Sequence, residues 1–257
     1  MFSKTILISL LLFFGYVSAD EAKGLAIIKE VDVKDSGWAD ATAEMSMILS
    51  NQQGQTSTRA LRLRFLEVPG DGDKSLTIFD SPKDIKGTAF LSHTHALSAD
   101  DQWLFLPALK RVKRIASANK SGPFVGSEFA YEDLTSFEVE KYKYKWLRNE
   151  DVSGIEHFVI EAYPVYEYSG YTKQVLWISS KTYQPSKIEF FDRKSTILKT
   201  LISNNMQQYL GQYWRAEKMI MTNHQTGKKT QLNWLNWKFK TGLSSRDFDK
   251  TTLKRIR

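Results

Sequence analysis

Apolar and polar positions alternate with a period of two over most of this chain, after one stretch that has a helical period. Leu25, Ile28 and Val31 are spaced three apart, which predicts an amphipathic helix over residues 24–35 that ends before Gly37. From Met45 onward the alternation is typical of antiparallel strands with one buried and one exposed face. The pattern predicts roughly ten or eleven strands, among them residues 45–49, 61–66, 75–79, 102–106, 141–148, 157–162, 174–179, 186–191, 213–222 and 230–238.

Two of these strands carry the clearest signals. Residues 141–148, KYKYKWLR, place aromatic side chains on one face and lysines on the other. Exposed lysines protect a sheet from pairing with another chain at its edge. Residues 102–106, QWLFL, have apolar side chains on both faces, with Trp103 and Phe105 on the same face, so this strand should be buried on both sides.

The turns and the lack of a linker complete the prediction of fold class. Ser81-Pro82-Lys83-Asp84 combines a capping serine with a proline at the first helical position, and Gly87 should end this short helix. No Pro/Gly/Ser-rich linker divides the chain, which predicts a single domain. A sheet of this many antiparallel strands should be curved or closed, because open sheets of this size rarely stay flat.

The first nineteen residues have the pattern of an export signal. Lys4 gives a positive start, residues 5–17 are mostly Leu, Ile and Phe, and Val17-Ser18-Ala19 matches a small-residue cleavage site. The sequence therefore predicts a signal peptide over residues 1–19, cleavage after Ala19 and a mature domain over residues 20–257. An uncleaved membrane anchor is the alternative, although the apolar run is shorter than the ~20 residues that span a bilayer.

Composition removes several classes of function. The chain contains no cysteine, which excludes disulfides, thiol catalysis and thiolate metal sites. The 36 Lys and Arg residues, less Lys4, exceed the 29 Asp and Glu residues by six in the predicted mature chain. Such an excess is compatible with simple solvation, with an anionic lipid surface or with an acidic partner. An exported protein is not expected to bind nucleic acid.

Catalytic motifs are absent from the sequence: there is no nucleophile elbow, zinc-protease motif, P-loop or dinucleotide fingerprint. His93 and His95 would lie on one side of a strand, but without a further ligand a solvated or hydrogen-bonded pair is the preferred interpretation. Glu132 and Asp133 could act as an acid and a base, yet bonds to backbone amides near Phe129 are favoured. We therefore expect neither an enzyme nor a cofactor or metal site.

Residues 103–134 contain LPALKRVKRI and then GSEFAYEDL. These segments resemble the LPxxKR…R and GSDFSYEDL stretches of the LolA-like group of periplasmic lipoprotein-sorting proteins. Glu128 replaces the usual Asp of that family, and Ala130 its usual Ser. SPKDIKGTAFL, LWISSKTYQPSKIEFFD and TGLSSRDF resemble other family segments in the same order, so the resemblance extends over most of the predicted mature chain.

The resemblance implies a mainly β fold, in which a curved antiparallel sheet forms an incomplete (half) barrel with short helices over its concave face. It implies a periplasmic carrier that binds a lipid or lipoprotein acyl chain in an apolar cavity. The carrier would shuttle this cargo between an inner-membrane transporter and the outer membrane, without covalent chemistry. Expected partners are a lipid or acylated protein, a transporter of the resistance-nodulation-division (RND) superfamily and an outer-membrane acceptor, with the carrier itself a monomer.

The aromatic content suggests where a cavity would lie. From the residues alone a dry core is the better explanation of seven Trp, eleven Tyr and fifteen Phe, whereas the resemblance favours a ligand cavity. One slip in strand phase would turn any candidate to the other face. The candidate cavity residues are Leu61, Leu63, Phe65, Trp103, Phe105, Phe129, Trp177 and Phe190, with Phe124 near the mouth.

A basic group and two other functions stay open. Lys110, Arg111, Lys113 and Arg114 could contact lipid phosphates or an acidic partner, or could form a solvated strand edge. A non-carrier adaptor that regulates an RND-type transporter by contact is the main alternative, and a filled barrel would favour it. A hydrolase of lipids or envelope polymers would require a Ser or His that a carboxylate activates in a cleft.

Overall fold

The computed structural model describes residues 18–255, where one α-helix and thirteen strands are found. The helix is α1 (Ala19–Asp35). The strands are β1 (Asp40–Ser50), β2 (Thr56–Leu66), β3 (Lys74–Ser81), β4 (Ala89–His93), β5 (Asp101–Leu106), β6 (Arg111–Ile115), β7 (Tyr142–Val152), β8 (Ile155–Pro164), β9 (Lys173–Ser179), β10 (Pro185–Phe191), β11 (Ile197–Tyr209), β12 (Tyr213–Asn223) and β13 (Lys229–Phe239). The 3-10 helices are Pro107–Leu109, Ser117–Asn119, Phe124–Gly126, Tyr131–Leu134, Val139–Lys141, Ser245–Phe248 and Leu253–Arg255.

The predicted signal peptide, residues 1–19, lies outside the described residues except for Ser18 and Ala19. Ser18 is the N-cap of α1, where its hydroxyl accepts a hydrogen bond from the Glu21 amide. None of the helices in residues 18–255 has the length and apolar character that a membrane span requires.

All the strands form one antiparallel sheet in the order β6-β5-β4-β3-β2-β1-β13-β12-β11-β10-β9-β8-β7. The first and last strands pair in the middle, from Ala41 opposite Phe239 to Ser50 opposite Lys229. Strands β6 and β7 lie at the two edges and are not paired with each other in the described chain. The predicted incomplete barrel of antiparallel strands is therefore confirmed.

One face of the sheet, which we call the inner face, is covered by α1 and by residues 116–141. These residues, which we call the crossing segment, connect β6 at one edge to β7 at the other. Ile28 of α1 packs with Leu176, and Phe124 of the crossing segment packs with Phe90. Ile188 contacts both groups, which places the helix and the crossing segment on the same face.

The helix lies directly on the edge strand β7. A Cβ atom on Gly24 would be 2.8 Å from the backbone nitrogen of Trp146, so only glycine allows this close approach. The Lys23 ammonium lies 3.3 Å from the centre of the Trp146 ring. The helix ends at Asp35, before Gly37, as the spacing of its apolar residues predicts.

Strand phase was predicted well in β7 and helix formation was predicted wrongly after β3. Tyr144 is buried on the inner face of β7 whereas Lys143 and Lys145 are exposed at the sheet edge, as the alternation predicts. The helix predicted at Ser81-Pro82-Lys83-Asp84 is instead a turn. The Gly87 amide donates to the Phe79 carbonyl at 2.7 Å, which closes the connection between β3 and β4 before a helix can form.

Candidate functional site

A cavity of about 810 Å³ lies between α1 and the inner face of the sheet. Its roof includes Ile28 and Val31 of α1, and its floor includes Leu176, Ile178 and Ile188 of β9 and β10. The volume falls within the range of roughly 300–1,000 Å³ that is usual for ligand pockets. The arrangement gives two apolar walls that face each other across an open space.

A second cavity of about 310 Å³ adjoins the first. One of its walls is a stacked group that we call the aromatic row: Phe65, Trp234, Trp237 and Phe239. The Trp237 ring centre lies 5.4 Å from that of Phe65, 5.2 Å from that of Trp234 and 5.7 Å from that of Phe239. Phe65, Trp234 and Trp237 line the cavity directly. The two cavities share the residues Asp35, Trp38, Asp73, Ser136, Gln184 and Pro185.

Few polar contacts fix the carboxyl end of α1 over these cavities. Arg215 Nη1 of β12 donates to Asp35 Oδ1 at 2.5 Å, and the guanidinium lies 5.8 Å from the Trp237 ring. The Glu67 carboxylate accepts the amides of Gly37 and Ala39 at 2.6 and 2.7 Å. Within the helix only Gly24 and Ile28 are buried, so α1 is a lightly attached cover.

The polar wall of the larger cavity is acidic, in a chain with a formal charge of +7. Among the described residues that line it there are seven carboxylates and no lysine or arginine. Burial raises the pKa of Asp73 to about 7, against one amide hydrogen bond from Val68. A hydrogen bond from His95 lowers the pKa of Asp71 to about 2. The seven are Asp32, Asp35, Glu67, Asp71, Asp73, Glu138 and Glu140.

The crossing segment fills the rest of the inner face: Phe124 lies over β3 and β4, and Glu128 and Asp133 are bonded to β11, β12 and β13. Phe124 is only 1% exposed, and its ring centre lies 5.8 Å from that of Phe79 and 5.2 Å from that of Phe90. Phe129, 4% exposed, belongs to the same cluster, and its carbonyl accepts the Phe124 amide at 2.7 Å. The two phenylalanines of this segment therefore occupy the space that an open half barrel would leave empty.

Buried polar bonds hold the crossing segment in place. Lys199 Nζ of β11 donates to Asp133 Oδ2 at 2.6 Å and to the Glu128 carbonyl at 2.9 Å. The Tyr171 hydroxyl donates to Asp133 Oδ1 at 2.7 Å. Asn223 Nδ2 of β12 donates to the Glu128 carboxylate at 2.7 Å.

Glu132 extends this polar network to the connection between β8 and β9. Its carboxylate accepts the Gly170 amide at 2.9 Å and the hydroxyls of Tyr166 and Ser169 at 3.1 Å each. Burial and the neighbouring Asp133 raise the pKa of Glu132. Because both oxygens of Glu132 and both oxygens of Asp133 accept hydrogen bonds, the GSEFAYEDL segment is a structural anchor, as the sequence predicts.

Six of the predicted cavity residues lie on the inner face or in its cover, but only Phe65 lines either of the two adjoining cavities. The other five belong to the packed cluster beneath the crossing segment: Leu61, Leu63, Phe124, Phe129 and Phe190.

Three predicted cavity residues lie on the outer face of the sheet, which corrects their assignment to the same lining. Trp103 and Phe105 of β5 pack against Phe248, in the segment that follows β13. Trp177 of β9 is covered by the Lys187 ammonium, 3.9 Å from its ring centre. The reason is strand phase: these strands are apolar on both faces, so alternation alone cannot tell the inner face from the outer one.

The residues that line the cavities were mostly missed from the sequence. Trp234 and Trp237 are three apart, yet both lie against Phe65. The backbone of Asn236 between them has a φ of +54°, and the register with β1 shifts at this point. Such a bulge breaks the period of two. Val31 was the available signal, because its helical spacing with Ile28 already predicted an apolar face on α1.

The four predicted contact residues for head groups or partners lie at an edge of the sheet. Lys110 follows the turn after β5, and Arg111, Lys113 and Arg114 belong to β6. All four are exposed.

The histidines have hydrogen-bond partners. His93 Nε2 lies 2.8 Å from the Phe248 carbonyl oxygen, and His95 Nδ1 lies 2.8 Å from Asp71 Oδ2. His95 Nε2 faces Asp101 at 3.8 Å, so both of its nitrogens point at carboxylates and neither is set to activate a serine. No group of three or more potential metal ligands occurs in the part of the chain that the structure describes.

Similar proteins fit this architecture. A model of a family described as an uncharacterized protein matches residues 71–255. An outer membrane lipoprotein-sorting protein domain from Vibrio parahaemolyticus is 59% identical, with 91% of this chain and 100% of that chain covered and a TM-score of 0.90. A DUF1329 family protein from Desulfovibrio piger is 26% identical, covers 92% of this chain and 100% of its own, and has a TM-score of 0.86.

A more distant structure shares the fold. A LolA superfamily protein from Nitrosomonas europaea is 20% identical, covers 89% of this chain and 98% of its own, and has a TM-score of 0.70. No curated protein sequence matches the chain. The open antiparallel sheet, its covered inner face and the 59% identity over nearly the whole chain lead to one conclusion: the chain belongs to the family of outer-membrane lipoprotein-sorting protein domains, and it has the fold of a LolA superfamily protein.

Proposed function

We propose that this protein is a periplasmic carrier that shelters the acyl chain of a lipid or lipoprotein between α1 and the sheet. The observation that carries the proposal is the 810 Å³ cavity with its apolar roof and floor, which adjoins the cavity at the aromatic row. Family membership supports a carrier of this general kind. The carrier acts without covalent chemistry.

The energy of acyl-chain transfer explains why a cavity is needed. At about 0.8 kcal/mol per buried methylene, a sixteen-carbon chain must be sheltered against roughly 12 kcal/mol when it crosses water. A surface groove that covers only one side of the chain cannot provide this. A space enclosed by α1 above and by β9 and β10 below supports burial on both sides.

The acyl chain must also be able to enter the cavity and leave it. Because burial of this strength makes spontaneous dissociation slow, we propose that partners exchange the cargo directly. An inner-membrane transporter of the RND superfamily would be the donor and an outer-membrane component the acceptor. The small buried surface of α1, limited to Gly24 and Ile28, supports the helix as the element that moves.

A non-carrier adaptor is the second candidate. The half of the inner face that Phe124 and Phe129 fill would suit a protein that acts only by contact. The cavity beneath α1 favours the carrier, since an adaptor has no need for a space between two apolar walls.

Two valines on α1 give a matched test. Val31 lines the cavity, whereas Val33, on the same helix, is 65% exposed. We expect Val31→Asp to weaken the binding of a fluorescent fatty-acid probe by about tenfold or more, because a buried charge must be desolvated. Val33→Asp should bind the probe like the wild type.

The cargo itself is tested by extraction. Protein purified from its native periplasm without detergent would be extracted with organic solvent, and the extract examined by mass spectrometry. We expect co-purified lipid in the wild type and less in Val31→Asp. Repeated preparations without lipid, together with no probe binding, would refute the carrier and favour the adaptor.

A further inference from the structure

The edge strand β6 carries an exposed basic group whose charge is largely unpaired. Lys110, Arg111 and Lys113 form no ion pair with any described residue, and Arg114 pairs with Asp101. Arg111, Lys113 and Arg114 stand on a strand whose outer edge has no partner strand in the described chain. Such an edge repels another positively charged strand and attracts an anionic surface.

Three further basic residues, from the segment that follows β13, lie beside these cations. Leu253, 1% exposed, packs with Phe105 and Val112 on the outer face beside β6. This contact brings the exposed Lys254 and Arg255 next to the strand. Lys250 lies 5.8 Å from the Trp103 ring centre on the same side. We call the combined surface the basic edge: Lys110, Arg111, Lys113, Arg114, Lys250, Lys254 and Arg255.

An apolar side chain stands at the tip of the basic edge. Leu109, in the turn between β5 and β6, is 68% exposed and directly precedes Lys110. An exposed apolar residue next to cations is the combination by which peripheral proteins contact the boundary between lipid head groups and acyl chains.

At the opposite edge of the sheet, some basic side chains form ion pairs with acidic residues. At β7, Arg148 pairs with Glu150 at 2.5 Å. Lys145 lies opposite Glu161 of β8, and Lys141 pairs with Asp100 just before the strand. Two of the four basic residues in residues 141–148, Lys141 and Arg148, are therefore in ion pairs, against one of the four in residues 110–114.

We propose that the basic edge docks the protein on an anionic lipid membrane surface. Seven cations stand against three acidic residues in the same two segments, Asp101, Asp247 and Asp249. Each Lys or Arg near an anionic membrane strengthens binding about fivefold at ordinary ionic strength. The docking would bring the carrier to a membrane whatever its cargo, so it goes beyond the proposed function and stands independently of it.

Vesicle sedimentation tests the proposal with the purified protein. The vesicles are phosphatidylcholine alone or an equimolar mixture with phosphatidylglycerol, each at low and at high salt. We expect binding only to the mixture, and a strong loss at 1 M salt, where the screening length falls to about 3 Å. The triple variant Lys110→Gln/Arg111→Gln/Lys113→Gln should bind about a hundredfold more weakly, because three contributions of this size are lost.

A matched control separates the basic edge from net charge. Lys143→Gln/Lys145→Gln/Lys228→Gln removes the same charge from exposed positions elsewhere and should bind the mixture nearly as the wild type does. Leu109→Ser should weaken binding by a smaller factor. Both triple variants should keep the circular dichroism spectrum and the fatty-acid affinity of the wild type, since neither lies at the cavity.

Three results would overturn the proposal. One is wild-type protein that does not bind the anionic mixture at low salt. Another is an equal loss of binding in the two triple variants, which would assign the attraction to net charge alone. The last is unchanged binding in the Lys110, Arg111 and Lys113 variant, which would leave an acidic protein partner as the occupant of this edge.

Discussion

The two halves of the inner face are covered in different ways. From β2 across to β11 the crossing segment packs Phe124 and Phe129 against the sheet and is held by the buried Lys199–Asp133 pair. Over β8 to β10, α1 buries only Gly24 and Ile28 and leaves a cavity of about 810 Å³. One half is core and the other is a covered space, although both rest on the same apolar sheet.

The difference shows that apolar content does not locate a ligand site. Residues with a strong apolar signal in the sequence, such as Leu61 and Leu63, lie where the protein fills the space with its own side chains. The cavity lies where the cover is a helix that approaches the sheet closely at a single glycine. Whether a part of the inner face forms packed core or a cavity therefore depends on the segment that covers it.

The largest expected effect comes from emptying the filled half. Phe124→Ala removes a ring that is 1% exposed and should lower the free energy of unfolding by about 3–5 kcal/mol. Phe137→Ala is the control, because Phe137 is 38% exposed and stands at the wall of the cavity. Urea denaturation would measure both, and equal losses of stability would contradict the division into core and covered space.

A smaller loss of stability is expected when the ion pairs that hold the crossing segment and α1 are broken. Lys199→Met leaves Asp133 buried without its cation and should cost about 3 kcal/mol. Arg215→Met breaks the Asp35 pair at the end of α1, where the two side chains are 17% and 35% exposed, and should cost about 1 kcal/mol or less. Thermal and urea unfolding of the two variants side by side would test this order. An Arg215 variant that loses more stability than the Lys199 variant would show that α1 is firmly held.

The contact of α1 with β7 should respond to a single methyl group. Gly24→Ala places a Cβ atom 2.8 Å from the Trp146 nitrogen, so the helix must shift, at a cost of about 1–2 kcal/mol. Hydrogen exchange should speed up in α1 while residues 124–134 stay protected. Faster exchange in both regions would mean that the two covers open together.

A further expected effect depends on pH. Asp73 has a pKa of about 7 in the folded protein, above its ordinary value of 3.8, so the folded state holds its proton more tightly than the unfolded state. The resulting stability is present below pH 3.8 and is lost as the pH rises through 7.

Asp73→Asn removes this dependence. It should therefore raise the unfolding temperature at pH 8, and the gain should shrink toward acidic pH. Scanning calorimetry across this range is the measurement, and a gain that does not change with pH would contradict the raised pKa. The same variant should bind an anionic fatty-acid probe more tightly at pH 8, because one charge is removed from the acidic wall.

The sequence predicted those parts of the fold that local periodicity controls. The end of α1 and the phase of β7 follow from spacing alone, and the class of sheet follows from the number of alternating segments. The short strand β4, the basic strand β6 and the long strand β11 were not predicted, since none of the three shows a clear alternation. In β6 the pairing with β5 overrides a weak local preference.

The candidate site was harder to predict because its geometry is set by distant parts of the chain. Trp103 and Phe105 are buried by Phe248, which lies more than a hundred residues away in the sequence. The bulge at Asn236 turns Trp237 to the inner face against the period of its strand. Neither contact can be inferred from the pattern of apolar residues within one strand.

Photo-crosslinking tests the central claim most directly. A palmitic acid analogue with a diazirine on its chain would be bound, irradiated and located by peptide mass spectrometry. We predict saturable labelling of residues that line the cavities, such as Val31, Ile188 and Trp237, which unlabelled palmitic acid prevents. Labelling at Leu61 or Phe90, or no saturable labelling at all, would contradict a lipid site beneath α1.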